Sequence, residues 1–134
     1  MIRHLKEDKG NYLKIIKDRK MGITTGFPTL DKMIYGINPA YHIIAARPSV
    51  GKTSIAMNMA LSAAVKKKKA VFFSIEMPKV SFMERMVAML TGVSPEDIRA
   101  NKIKNDYKEA LDNLDKSMEA LDIYVDYASH HKPK

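Results

Sequence analysis

One segment of the chain has residue types and a spacing suited to binding a polyphosphate. Residues 46–53 read ARPSVGKT, which matches the pattern G-x-x-x-x-G-K-[ST] at every defined position except the first, where Ala46 stands. Gly51 would let the backbone approach a phosphate, Lys52 would place an ammonium beside the terminal phosphates, and Thr53 would offer a hydroxyl to a magnesium ion. The predicted nucleotide contacts are Ala46, Arg47, Pro48, Ser49, Val50, Gly51, Lys52, Thr53 and Ser54.

The segments on either side of this loop predict the elements that such a loop requires. Residues 41–46 are apolar and lie between Pro39 and Pro48, which favours a short buried strand. Residues 52–65 are rich in alanine and carry an apolar face with helical spacing, which predicts a helix. A helix that starts at the loop would direct its free backbone N–H groups and its positive dipole end at a bound phosphate.

A second strand is predicted directly after this helix. Residues 70–76 (AVFFSIE) are aromatic and β-branched, and Pro78 closes the run. The order strand, helix, strand predicts a parallel crossover with ligand chemistry at the carboxyl ends of the strands. Further helices are predicted at residues 30–35, 79–90, from the Ser94 cap onward and at 106–120, and a third strand at 121–127. The fold class is therefore α/β, a partial parallel sheet flanked by helices.

Composition limits the kind of protein this can be. The 134 residues include 23 Lys and Arg against 15 Asp and Glu, a formal charge of +8, and no cysteine. A disulfide-built secreted scaffold is excluded, and no apolar stretch approaches the roughly 20 residues of a membrane span. We therefore expect a soluble, cytoplasmic protein with no membrane partner. The positive charge favours polyanions such as nucleotides or nucleic acid.

Three segments together resemble the DnaB-type replicative DNA helicases. They are TTGFPTLDKMIYGI, IIAARPSVGKTSIAMNMA and VFFSIEMPKVSFMERM, and the resemblance runs from about Gly22 to Asp126. It implies a partial RecA-like P-loop ATPase domain over residues 21–127, a helical linker arm over 1–20, and a disordered tail over 128–134. It also implies ATP and Mg²⁺ as cofactors, and ATP hydrolysis coupled to DNA unwinding by a hexameric ring on single-stranded DNA. Alanine at the first loop position is common in that family.

The resemblance also assigns roles within the site. Glu76 stands where the family places the glutamate that polarises the attacking water, so Glu76 and Lys52 are the expected catalytic residues and Thr53 the expected metal ligand. A carboxylate at the end of the second strand would face the terminal phosphate, which agrees with this role. The alternative for Glu76 is a capping or ion-paired surface glutamate. Arg47 is either a nucleotide contact or a solvated arginine.

Elements that complete the family's active site are expected to be missing. In the family, a strand ending in a magnesium-ordering aspartate, DNA-binding loops and an arginine finger follow the part resembled here. We therefore expect weak nucleotide binding and poor hydrolysis by this chain alone. Asp126 ends an apolar run and could order magnesium in a generic small P-loop NTPase, or it could simply end a strand. A further alternative is a non-enzymatic helicase relative that binds or regulates a full-length ring.

Overall fold

The computed structural model describes residues 5–18, 20–100, 102 and 107–127, and the predicted tail at 128–134 lies outside them. In chain order, the helices and strands are α1 (Leu5–Lys17), α2 (Pro28–Ile34), α3 (Lys52–Val65), β1 (Ala70–Phe73), α4 (Lys79–Thr91), α5 (Pro95–Arg99), α6 (Lys108–Asp112), α7 (Leu114–Glu119) and β2 (Ile123–Asp126). The helix α1 occupies the segment predicted to be the arm, and the side chains described on it are exposed.

The described sheet consists of β1 and β2, which pair in parallel. The register runs from Ala70 opposite Ile123 to Phe73 opposite Asp126. The backbone N–H of Ser74 extends this ladder by donating to the carbonyl of Asp126 at 2.8 Å. Parallel strands need a long crossover connection, which α4 to α7 supply here. The predicted parallel α/β arrangement is thereby confirmed.

The core lies between one face of this sheet and the helices α3 and α4. Phe82 of α4 is 1% exposed and packs with Met57 of α3 and Met86. The ring of Phe82 meets that of Phe72 on β1 at 5.1 Å and that of Tyr127 at 5.8 Å, in tilted and edge-on arrangements that aromatic pairs prefer. The opposite face of the sheet is open, with Val71, Phe73 and Tyr124 exposed.

The prediction of a buried strand at residues 41–46 is wrong for this structure. The segment has no regular secondary structure, and the side chains of Tyr41 and Ile43 are almost completely exposed. A strand forms only when a neighbour completes its hydrogen-bond ladder, and the two described strands pair with each other instead. An apolar run alone does not supply that neighbour.

Two other predicted boundaries also differ. The strand β1 ends at Phe73 rather than at Glu76, because Ser74 to Met77 form a turn closed by a hydrogen bond from the Ser74 hydroxyl to the Met77 carbonyl at 2.8 Å. The predicted helix at 106–120 is divided into α6 and α7, and its start falls partly outside the described residues. The division lies at Asn113, whose φ of −92° and ψ of 1° depart from the α-helical values, and whose side-chain amide shares the Glu109 carbonyl with its own backbone N–H, at 2.9 Å and 3.1 Å.

The remaining helices follow their predictions closely because local signals define them. The helix α3 has the predicted bounds of 52–65, and α4 ends beside Gly92, which adopts the left-handed conformation at its C-cap. The helix α5 begins at Pro95, and the hydroxyl of Ser94 caps it by accepting from the backbone N–H of Asp97 at 3.0 Å.

The segment before the phosphate loop is held by a buried carboxylate. Asp31 of α2 accepts from the Thr24 hydroxyl at 2.5 Å, from the Thr25 hydroxyl at 2.7 Å and from the Thr25 backbone N–H at 2.8 Å. These bonds favour the ionised carboxylate and hold the pKa of Asp31 below its usual range. The Thr-Thr pair and α2 are thereby fastened to each other.

Replacement of Phe82 tests the position of the core. We expect Phe82→Ala to lower the free energy of unfolding by about 3–5 kcal/mol, because a buried ring is lost and a cavity remains. Tyr41→Ala is the control, because an exposed residue should change this free energy by no more than about 0.5 kcal/mol. Urea unfolding followed by circular dichroism measures both, and equal effects would contradict the core described here.

Replacement of Asp31 tests the buried carboxylate through the pH dependence of stability. Because the pKa of Asp31 is lowered on folding, its stabilisation is complete above the unfolded-state pKa of about 4 and is lost as pH falls through the lower folded value. We expect Asp31→Asn to lower the Tm at pH 7 and to make the Tm less sensitive to acid. Asp112→Asn, at an exposed site on α6, should retain the wild-type profile. Parallel profiles for Asp31→Asn and wild type would refute the interpretation.

Candidate functional site

The phosphate loop turns into α3 through a backbone conformation that favours glycine. Gly51 is the N-cap of α3 and has a φ of 106°, in the left-handed region. Its carbonyl accepts the first helical hydrogen bond, from the N–H of Ile55 at 3.0 Å. Any residue with a side chain would be strained in this conformation. Glycine is therefore favoured at this position by the backbone as well as by the close approach of a ligand.

The N-terminus of α3 is available for an anion. No side chain caps it, and its first turn contains no acidic residue. The first N–H groups of a helix have no partner within the helix, and they carry the positive end of its dipole. In a helix of 14 residues, this arrangement favours a phosphate or carboxylate at the open end.

Lys52 folds back over the loop. Its ammonium donates to the backbone carbonyls of Ala46 at 3.3 Å and Arg47 at 3.5 Å. These are long hydrogen bonds to neutral acceptors, and a charged phosphate oxygen would be a stronger partner. The ammonium is therefore held at the loop, where it can exchange these carbonyl partners for a bound anion.

A cavity of about 1060 Å³ joins this loop to the turn after β1. Lys52, Thr53 and Glu76 all line it, so residues from two separate parts of the chain share one space. Glu76 is exposed, and neither its carboxylate nor the Thr53 hydroxyl makes a hydrogen bond or an ion pair within the part of the chain that the structure describes. Other predicted contacts in the lining are Pro48, Ser49, Gly51 and Ser54.

Ser74 positions the turn that carries Glu76, and no feature of the sequence pattern had marked it as part of the site. Its side chain is 3% exposed, and its hydroxyl closes the turn on the Met77 carbonyl. Its backbone N–H also ties the turn to β2 through Asp126. A small polar residue in the middle of the apolar run FFSI was the available signal, because a buried hydroxyl needs a partner.

Some predicted residues lie outside the cavity. Ala46 and Arg47 contribute their backbone carbonyls to Lys52 but do not line the cavity, and the Val50 side chain is exposed. Asp126 ends β2 and is not among the lining residues. Its position offers no support to a direct magnesium role.

The cavity also contains residues of α4 that were not predicted. Arg85 and Ser81 are among the residues that line it. The guanidinium of Arg85 donates to the Ser54 hydroxyl at 3.5 Å, across 31 residues of sequence. No short motif marks such a residue, because only the packing of α4 beside α3 brings them together.

Neither a preassembled metal site nor a membrane-spanning helix occurs among the described residues. They contain no group of three or more histidine or acidic side chains arranged to hold a metal ion. Within the same ranges, no helix has the length and apolar character needed to cross a membrane.

Comparison with known proteins gives one consistent result. Residues 22–134 match the family model of the DnaB-like helicase C terminal domain. The replicative DNA helicase DnaB of Buchnera aphidicola subsp. Schizaphis graminum is 38% identical over 119 residues, which cover 87% of this chain. That of Pasteurella multocida is 37% identical over 84% of the chain, and that of Haemophilus influenzae is 47% identical over 60%.

Solved structures show the same fold. A DnaB-like replicative helicase, solved in a study of its interactions with primase, superposes on 96% of this chain with a TM-score of 0.78 and 24% identity. A second solved structure, described as an ATPase domain, covers the same share with a TM-score of 0.73 and 24% identity. The chain spans 18–26% of the length of the three relatives, and 32% and 48% of the two solved chains.

Proposed function

The chain belongs to the DnaB-like helicase C-terminal domain family, and from that premise we propose that it is the ATP-binding part of a replicative DNA helicase motor. One observation carries the proposal. Lys52, Thr53 and Glu76 share a cavity at the uncapped N-terminus of α3, although Glu76 lies 24 residues beyond Lys52 in the sequence. A triphosphate fits the chemistry of that cavity.

The first step is binding of the phosphate chain. The free N–H groups of α3 and the loop would surround the phosphates, and Lys52 would exchange its carbonyl partners for phosphate oxygens. Gly51 allows the backbone to come close. Arg47 is proposed as a further contact because the hydrogen bond from Lys52 to its carbonyl places this cationic residue in the loop beside the ammonium.

Magnesium is the expected metal, and the residues present fit it. Mg²⁺ prefers oxygen ligands and keeps several waters, so one protein hydroxyl beside nucleotide oxygens is a suitable donor set. Thr53 lines the cavity and its hydroxyl has no other partner among the described residues. When bound, the ion would neutralise part of the charge on the phosphates.

Glu76 is proposed to orient the attacking water. The turn closed by Ser74 holds it at the carboxyl end of β1, on the cavity wall facing the loop. Its carboxylate has no cation bound to it in the described residues, so it is free to accept a hydrogen bond from water. Positioning and electrostatic stabilisation are the main contributions of a protein to phosphoryl transfer.

In the complete protein, we propose that this segment works within a hexameric ring on single-stranded DNA in the cytoplasm. There, ATP hydrolysis would drive unwinding, with the remaining catalytic groups supplied by other parts of the same or a neighbouring subunit. Family membership supports this proposal.

Replacement of Lys52 tests the nucleotide site. We expect Lys52→Ala to weaken binding of mant-ATP with Mg²⁺ by at least about tenfold, because a charged hydrogen bond to phosphate is lost. Lys68→Ala is the matched control, since it removes the same charge from the exposed segment after α3. Fluorescence titration measures both, and equal affinities for the two variants would count against the proposal.

A second candidate function is binding to a full-length helicase without catalysis. The open face of the sheet favours it, because Val71, Phe73 and Tyr124 form an exposed apolar surface. Contiguous apolar surface of this kind marks sites of protein contact.

Association with a helicase ring tests this candidate. If it is correct, the chain should bind a purified DnaB hexamer in a pull-down at micromolar concentration, and Phe73→Asp should weaken that binding because it places a charge on the apolar surface. Lys68→Asp, away from that surface, should bind as wild type does. Absence of association by the wild-type chain would remove this function from consideration.

A further inference from the structure

Four consecutive lysines, Lys66 to Lys69, follow α3 and concentrate positive charge at one point of the chain. We call this segment the lysine turn. All four of its side chains are exposed. Their ammonium groups make no hydrogen bond or ion pair within the part of the chain that the structure describes, where Arg99 pairs with Glu84 instead. The charge of the lysine turn is therefore not neutralised by the fold around it.

The backbone of the lysine turn is ordered by hydrogen bonds to the end of α3. The N–H of Lys68 donates to the carbonyl of Ala63 at 3.0 Å, and that of Lys67 donates to the carbonyl of Ala64 at 2.8 Å. These two bonds form the Schellman motif that ends many helices. The strand β1 then begins at Ala70, directly after the turn. Regular structure on both sides thus keeps the four charges close together.

Lys67 occupies the position of this motif that usually belongs to glycine. Its φ is 60°, in the left-handed region, where a side chain is disfavoured. At the end of α4, the left-handed residue is Gly92, with a φ of 75°. Glycine at position 67 would relieve the backbone without changing the motif. A residue kept in an unfavourable conformation points to a function of its side chain.

The dipole of α3 accounts for only part of this charge. A cation stabilises the negative end of a helix, but the effect falls off beyond the last turn. Lys66 lies at that end, whereas Lys69 directly precedes β1. Asp122 lies beside the turn, because its carbonyl accepts from the N–H of Ala70, but its carboxylate accepts from the Tyr124 hydroxyl at 3.1 Å. The remaining positive charge is suited to an anion from outside the chain.

We propose that the lysine turn binds the phosphate backbone of a nucleic acid strand. Lysine ammonium groups bind phosphates as compact point charges that need no fixed geometry. A nucleic acid strand in a duplex carries one negative charge about every 3.4 Å along the axis, and adjacent Cα atoms are about 3.8 Å apart. Four closely spaced cations therefore match the charge density of this partner. Contacts to the phosphate backbone alone are independent of base sequence.

This site is separate from the nucleotide cavity and goes beyond the proposed function. None of the four lysines lines that cavity. Lys52 and Lys66 stand at opposite ends of α3, whose 14 residues span about 21 Å. Binding at the lysine turn requires no nucleotide, so the affinity for mant-ATP should be the same with and without these lysines.

The first test removes charge from the lysine turn of the full chain. We expect the double variant Lys66→Ala and Lys69→Ala to bind a fluorescein-labelled oligothymidylate of about 20 nucleotides at least about tenfold more weakly, because phosphate contacts are lost. The slope of log affinity against log salt should become shallower by about 0.7 for each lost contact. The matched control is Lys108→Ala with Lys116→Ala, which removes two lysines from exposed sites on α6 and α7. Fluorescence anisotropy between about 50 and 200 mM salt measures both.

The second test uses the left-handed position. We expect Lys67→Gly to raise the Tm by roughly 2–5 °C, because glycine adopts this conformation without strain, and at the same time to weaken DNA binding. A lysine with only a structural role would not give a more stable chain that binds DNA less tightly. Thermal unfolding followed by circular dichroism gives the Tm, and the anisotropy titration gives the affinity.

Three results would overturn the proposal. The first is equal weakening by the two double variants, because binding would then follow net charge and not the lysine turn. The second is failure of the wild-type chain to bind the oligonucleotide at micromolar concentration. The third is tighter binding of polyglutamate than of DNA through the same lysines, which would assign the turn to an acidic protein segment. Failure of the wild-type chain to bind mant-ATP would refute the proposed function alone.

Discussion

Every feature of the candidate site depends on the backbone N–H groups that α3 leaves unpaired at its start. A helix end without a cap is unfavourable by itself, so its position must be maintained by packing elsewhere. Met57, which is completely buried, and Ala64 anchor α3 against the sheet and α4. Gly51 then allows the left-handed turn at which the chain enters the helix. Core packing thereby holds in place a helix end suited to an anion.

The parallel pairing of β1 and β2 determines where the second half of the site lies. The turn that follows β1 leaves the sheet beside the start of α3, so Glu76 lies on the same cavity as Lys52. Ser74 is buried beneath that turn and connects it to β2 through the backbone of Asp126. The helix α4 continues from the turn, and its packing through Phe82 brings Arg85 to the cavity. The core and the site are thus built from the same elements.

The positive charge of the chain and its exposed apolar side chains both favour contact with other molecules. The cavity gathers cations at a helix N-terminus, and the chain as a whole carries a formal charge of +8. Opposite the core, the sheet leaves Phe73 and Tyr124 exposed, and residues 41–46 extend without a paired strand. A parallel sheet is normally covered on both faces, so these apolar surfaces are suited to contact with further protein.

The sequence by itself determined the phosphate loop, its glycine, the bounds of α3 and the cap of α5, because those features depend on residues close together in the chain. The resemblance to the helicase family indicated that Glu76 lies near the loop, although the strand predicted to carry it ends three residues earlier, at Phe73. The sequence could not predict that residues 41–46 form no strand. A strand exists only with a hydrogen-bonded neighbour, and an apolar run does not identify that neighbour. Only the tertiary structure brought Ser74 beneath the Glu76 turn and Arg85 beside Ser54, because contacts between residues distant in sequence depend on how α3, α4 and the two strands pack together.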